Sequence, residues 1–269
     1  SSVCFRRFSW CKTSRQRCAR CRQPELSQPQ RQMSRVSGAA VAPVVAFFSY
    51  WGMSHKPAEA PRPPPKPVKL GYWQIRGLVE PIRTLCAYGH IEVQPIVYQQ
   101  GDRSVNFDKS MWYNVKNHIG LDFPNLPYLF DNGLKLTQSD AILRHLCRRI
   151  DEKLLGTTDE EQAKVDMLLG VSMDFRMTLV RVAYRNYHDD AVRAELQQQR
   201  IPSFLAKFER FAALHGGPHI LGSRLTIADF VLYDLLDVSE RMAPGVLSQY
   251  PSLKRLCLAF EDQEAIRTF

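Results

Sequence analysis

A chain of 269 residues, 45% apolar and 23% charged, has enough material for one large domain or two smaller ones with a sizeable core. Its formal charge of +9 is lopsided: residues 1–66 hold 12 of the 36 Lys and Arg but only Glu25 and Glu59 of the 27 acids, which leaves 24 basic and 25 acidic residues over 67–269. The balanced body excludes an argument for nucleic-acid binding from net charge, and the basic character belongs to the N-terminal segment.

Residues 1–66 read as a disordered, basic and Pro-rich extension rather than a domain. It contains Cys4, Cys11, Cys18 and Cys21, but their spacing matches no common structural zinc module and no metal is expected. The run from Gly38 to Phe48, behind Arg31 and Arg35, imitates a signal-peptide core or a transit peptide, yet it is too short and too proline-broken to span a membrane. A stiff polyproline-type spacer follows from Pro57 to Pro67, and Met33 and Met53 are alternative start positions. In the body, Cys86, Cys147 and Cys257 stand singly in apolar helical contexts, which suits reduced core thiols in a cytoplasmic protein.

From 67 to about 150 the pattern predicts strands at 68–73, 93–98, 128–130 and 134–137 and helices at 80–88, 109–117 and 139–149, a small α/β domain. Pro81 sits in the first turn of its helix, and Asn132-Gly133 joins the last two strands as a tight hairpin. Pro127 just ahead of a buried strand points to a fixed backbone that exposes neighbouring polar groups. Gln138-Ser139 then places an amide and a hydroxyl at a capped helix start, whose N–H groups favour a carboxylate or phosphate. Together these suggest a site for an extended, anionic, peptide-like ligand; a hairpin with an ordinary N-cap is the alternative for that stretch alone.

After Leu154-Leu155-Gly156 the chain turns wholly helical, with apolar recurrence near the helical period over 157–184, 189–214, 226–241 and 252–262. Thr226-x-x-Asp229 has the form of a capping box, a structural device. Leu169, Met173, Met177, Val180 and Tyr184 share one helix face, which is either core or the lining of an adaptable pocket.

The segments Leu70-Gly71-Tyr72-Trp73, Ile75-Arg76-Gly77, Gly101-Asp102, Gly120 to Leu129, Thr137-Gln138-Ser139, Val165-Asp166, Met173-Asp174, Thr226 to Phe230 and Tyr233-Asp234 carry a family resemblance. Through them the chain resembles the glutathione S-transferases, most closely the mu class, over roughly residues 67–269. The resemblance implies a thioredoxin-like glutathione-binding domain over 67–150, without the thioredoxin Cys-x-x-Cys, and an all-helical domain over 157–269 with the electrophile pocket. It implies a cytoplasmic homodimer that conjugates glutathione, its co-substrate, to hydrophobic electrophiles in detoxification, with no metal, no nucleic acid and no stable membrane insertion.

The chemistry asks for a thiolate donor. A thiol of pKa about 8.5 is only a few per cent ionised at neutral pH, and lowering it by about two units takes roughly 2.7 kcal/mol of preferential anion stabilisation. A hydrogen bond from a phenol supplies much of that. Tyr72, at the end of the first strand, matches the family's catalytic tyrosine, although a strand-end tyrosine on its own is usually a packing residue. By resemblance Gln138 and Ser139 hold the γ-glutamyl end. Asn125 and Leu126, ahead of an expected cis-Pro127, meet the cysteinyl backbone, and Trp73, Lys109, Trp112 and Lys116 line the glycyl end. Asp174 would reach the partner subunit's site. Ile75, Leu78, Met173, Met177, Val180 and Tyr184 would line the electrophile pocket, and Phe123 and Arg144 the dimer interface. Two departures stand out. Lys109 replaces an arginine in a lengthened loop and loses the planar two-pronged contact. The chain also ends at Phe269, short of the segment that covers the pocket in mu enzymes. Two other functions fit the sequence: a carrier of the same fold with little turnover, and a basic arm at 1–66, tethered to the body, for nucleic acid or an anionic membrane. Tyr72, Asn125, Gln138 and Ser139 occurring together favour the enzyme, since a carrier has no use for a thiolate-activating phenol.

Overall fold

The computed structural model describes residues 66–101, 105, 107–186 and 188–267. The extension read above as disordered, its cysteines and most of its proline-rich spacer lie outside the described residues. Four strands form one mixed sheet in the order β2-β1-β3-β4. Strand β1 (Val68–Trp73) runs parallel to β2 (Val93–Tyr98) and antiparallel to β3 (Tyr128–Asp131), which turns back into β4 (Leu134–Thr137). The hairpin is as tight as its sequence asks, with Asn132 and Gly133 both at positive φ, 48° and 88°. Helix α1 (Glu80–Tyr88) makes the crossover between the parallel strands, and α3 (Ser139–Ile150) follows β4. This is the thioredoxin-like arrangement, followed by helices alone.

The predicted helix over 109–117 is cut back to one turn, α2 (Ser110–Tyr113). Only Trp112 is buried in it, and the exposed Asn114, Asn117 and His118 favour turns, so residues 114–118 continue as hydrogen-bonded turns. Helix α4 (Asp159–Arg181) ends in a single widened turn at Val182–Asn186. The predicted run over 189–214 is also interrupted. Helices α5 (Asp190–Glu195) and α6 (Ile201–His215) flank a widened turn, Leu196–Arg200. Pro202 has no N–H to continue the ladder, and the Ile201 N–H reaches back five residues to the Leu196 carbonyl.

Helix α7 (Ile227–Met242) is the centre of the helical domain, with ten of its sixteen residues buried. It packs against α1, α3, α4 and α8 (Pro251–Glu261), so it ties the sheet domain to the bundle; the short α9 (Glu264–Arg267) lies against α1 and α8. Its start is held by the capping box. The fully buried Asp229 carboxylate accepts the Thr226 N–H at 2.8 Å, the Thr226 hydroxyl at 3.0 Å and the Ile220 N–H at 2.8 Å. Replacing this carboxylate leaves two buried N–H groups without a partner. Asp229→Ala is therefore expected to lower stability by about 3 kcal/mol, read from the midpoint of urea unfolding at unchanged m-value.

Candidate active site

Strand register gathers the site. Gly71 pairs with Tyr128, and Tyr128 pairs with Thr137. One residue further along each antiparallel strand, Tyr72, Pro127 and Gln138 therefore emerge in one row at the same end of the sheet. The Leu126-Pro127 peptide is cis, and Leu126 and Pro127 are buried while Asn125 and Gln138 are exposed.

Tyr72 is only 7% exposed, and its hydroxyl oxygen accepts the Leu78 N–H at 3.0 Å. That contact depends on Gly77, which lies at φ 48° and where an added Cβ would sit 2.6 Å from the Tyr72 hydroxyl. Burial pushes the phenol above its ordinary pKa. The Leu78 N–H opposes this, Tyr184 adds to it, and the charges of Arg176 and Arg83 oppose it. Tyr72 thus keeps its proton through the neutral range, and with one lone pair already engaged the O–H is free to donate to a ligand atom.

Gln138 stands at the N-cap of α3 with φ 71° and ψ 116°, and its side chain does not cap the helix. The capped start expected from the sequence is thus an uncapped one. The first N–H groups of α3 and the buried Ser139 face the sheet end, where an anion meets both oriented donors and the positive end of the helix dipole. The Leu126 N–H is occupied by the Asn125 side-chain oxygen at 2.9 Å, so a peptide ligand there exchanges one partner for another.

Residues 68–148 match the family model for the glutathione S-transferase N-terminal domain and residues 173–269 that for the C-terminal domain. The chain is 39% identical over 209 residues to glutathione S-transferase Mu 5 of Rattus norvegicus, covering 76% of this chain and 88% of the relative. It is 39% identical over 204 residues to glutathione S-transferase Mu 1 of Oryctolagus cuniculus, covering 76% and 90%. Among solved structures, the Pi-class glutathione S-transferase of Onchocerca volvulus matches with a TM-score of 0.66 at 30% identity, covering 75% of this chain and 90% of that one. The glutathione S-transferase Blo t 8 matches with 0.66 and 30%, covering 74% and 89%. The chain belongs to the glutathione S-transferase family. It is a transferase whose co-substrate is glutathione. Among the described residues, no group of three or more His, Cys, Asp or Glu is placed to hold a metal ion, and no helix is long and apolar enough to cross a membrane.

The remaining predicted residues of the transferase fall into distinct surroundings. Trp112 is 5% exposed, stacked on Tyr128 with ring centres 6.0 Å apart and set edge-on to Tyr98. Tyr128 occupies the space over Gly71, where an added Cβ would come within 2.2 Å of its ring. Trp73 is half-buried edge-on to Tyr98, Lys116 lies over the Tyr113 ring, and Lys109 is exposed at the start of α2. Along α4 and the widened turn that ends it the apolar face opens outward: Leu169 is buried, Met173 and Val180 are half-buried, Met177 is 50% exposed and Tyr184 64%. Ile75 and Leu78 are half-buried, on the loop that wraps Tyr72. Asp174 is exposed, Phe123 is 77% exposed, and Arg144 pairs with Asp166 of its own chain at 2.7 Å.

Sequence reasoning missed what holds the Tyr72 loop. Gly77 and the Leu78 N–H are backbone features without a side-chain signal, and Arg76, Arg176 and Asp234 pair only in three dimensions. Gly77→Ala combines a disfavoured φ with a clash against the phenol. The expected result is a folded protein with glutathione affinity within about twofold of the parent and kcat/KM lower by roughly 100-fold, since about 1 Å of misplacement at a reacting group has that effect.

Proposed function

We propose that this transferase binds glutathione across the row Tyr72, Pro127 and Gln138 and joins its sulfur to hydrophobic electrophilic compounds, a detoxifying reaction. The observation that carries the reading is the Tyr72 hydroxyl, which accepts the Leu78 N–H and keeps its own proton for a ligand. The protein's own thiols are no rivals for this role: burial pushes Cys86, Cys147 and Cys257 up to about 12, so among the described residues the sulfur nucleophile has to come from the co-substrate.

In this reading residues 67–150 hold the tripeptide. Ser139, Gln138 and the α3 N–H groups take the γ-glutamyl carboxylate, Asn125 and Leu126 take the cysteinyl backbone, and Trp73, Lys109, Trp112 and Lys116 take the glycyl end. Tyr72 donates to the sulfur and favours the thiolate, which attacks the electrophilic carbon. Residues 157–269, with Ile75 and Leu78, hold the electrophile; Met173, Met177 and Val180 offer soft apolar contact, and the Tyr184 hydroxyl meets charge that develops on a departing or opening oxygen. Tyr72→Phe removes the donor and keeps the shape. It is expected to move the pKa of the bound thiol back toward about 8.5 and to lower kcat/KM near pH 6.5 by about 100-fold, with the deficit shrinking as pH rises. A pH–rate profile identical to the parent's would overturn the role of Tyr72.

The same reading makes the protein a cytoplasmic homodimer, with Phe123 seated in the partner subunit, Arg144 at the two-fold axis and Asp174 reaching the partner's glutathione. Exposure supports it: a phenylalanine ring 77% in water is costly unless another surface covers it, and a two-fold axis uses each such anchor twice. Phe123→Ser is expected to weaken association by several kcal/mol and to shift sedimentation at micromolar concentration toward monomer. Activity should fall with dissociation; a stable dimer in this variant would remove Phe123 as the anchor.

A further inference from the structure

A buried charge cluster lies behind the Tyr72 loop. Asp234 on α7, 2% exposed, receives Arg76 Nε at 2.6 Å on one carboxylate oxygen and Arg176 Nη2 at 2.5 Å on the other. Arg76 also pairs with Asp237, which Arg241 meets at 3.0 Å. Well-packed apolar residues commonly replace such a buried network without loss of stability, so core packing alone does not account for it.

Its position does. Arg76 immediately precedes Gly77 and Leu78, the two residues whose backbone closes over the Tyr72 hydroxyl. From the other side Arg83 reaches the Ile75 carbonyl at 3.4 Å. Arg176 lies on α4 between Met173 and Met177, and its charge, like that of Arg83, acts on the Tyr72 phenol.

We propose that Arg76 and Asp234 are positioning residues of the transferase reaction: their ion pair draws the Arg76–Leu78 loop toward the helical domain and so holds the Leu78 N–H on the Tyr72 hydroxyl. The inference rests on the reading that Tyr72 donates to the glutathione sulfur. It also makes the helical domain part of the machinery that forms the thiolate, not only the holder of the electrophile. Removing the Arg76 cation also raises the thiolate midpoint directly, whereas removing the Asp237 anion lowers it, so an upward shift in Asp237→Asn reports the position of the loop.

The test uses the full chain and glutathione alone. The ultraviolet absorbance of the bound thiolate is followed against pH, alongside glutathione affinity and the thermal midpoint. Arg76→Met is expected to raise the midpoint of thiolate formation by about one pH unit, an approximately tenfold loss of thiolate below it, with glutathione affinity within about twofold of the parent. Arg76→Lys, which keeps one ion pair, should restore part of the shift. Asp237→Asn, which loosens Arg76 while leaving its pair with Asp234, should give a smaller shift in the same direction and provides a second readout if Arg76→Met does not fold. Loss of thermal stability with an unchanged thiolate titration in the folded variants would overturn the positioning role. A parent protein whose bound glutathione titrates like free glutathione would instead overturn the reading of Tyr72 itself.

Discussion

The hydroxyl of Tyr72 lies against backbone, and the rest of the site follows from that contact. A phenol that accepts an N–H at 3.0 Å has its oxygen fixed and its proton directed elsewhere. The contact needs a loop that passes within van der Waals distance of the ring, and only a residue without Cβ fits at position 77. It also needs a rigid base, which β1 provides by standing inside the sheet, paired on both edges. The same pairing brings Pro127 and Gln138 level with Tyr72, so the residues proposed to anchor the tripeptide and to activate it share one frame.

The electrostatics of the site are set by what is buried. Desolvation keeps Tyr72 neutral and keeps the internal cysteines as thiols, which leaves the sulfur of a bound co-substrate as the group to be ionised. An anion at the sheet end meets uncapped N–H groups at the start of α3 and a phenol O–H. Each is fixed before a ligand arrives, so little reorganisation accompanies binding.

The two domains follow different physical rules. The sheet end is exacting: a Cβ at Gly71 or Gly77 has no room, and Trp112, Tyr98 and Tyr128 interlock behind it. The face of α4 is permissive. From Leu169 outward it goes from buried to open, and its methionines are flexible and polarisable. In the proposed reading, one peptide held in one pose and many electrophiles held loosely suit that contrast.

The sequence alone already determined the local elements: the four strands, the helix starts at Glu80 and Ser139, the Asn132-Gly133 hairpin and the capping box at Thr226 are readable because periodicity, turn chemistry and caps act over a few residues. It also marked Tyr72, Gln138 and Ser139 as worth attention, since their motifs are contiguous. The shortening of α2 and the break ahead of α6 were not legible, because apolar spacing does not say which residues find a surface to pack on. Neither was the Arg76–Asp234–Arg176 cluster, whose ion pairs join residues 158 and 58 positions apart. Charges so distant in sequence meet only when α4 and α7 dock beside the first loop. Their burial, and therefore their strength, depends on everything packed around them.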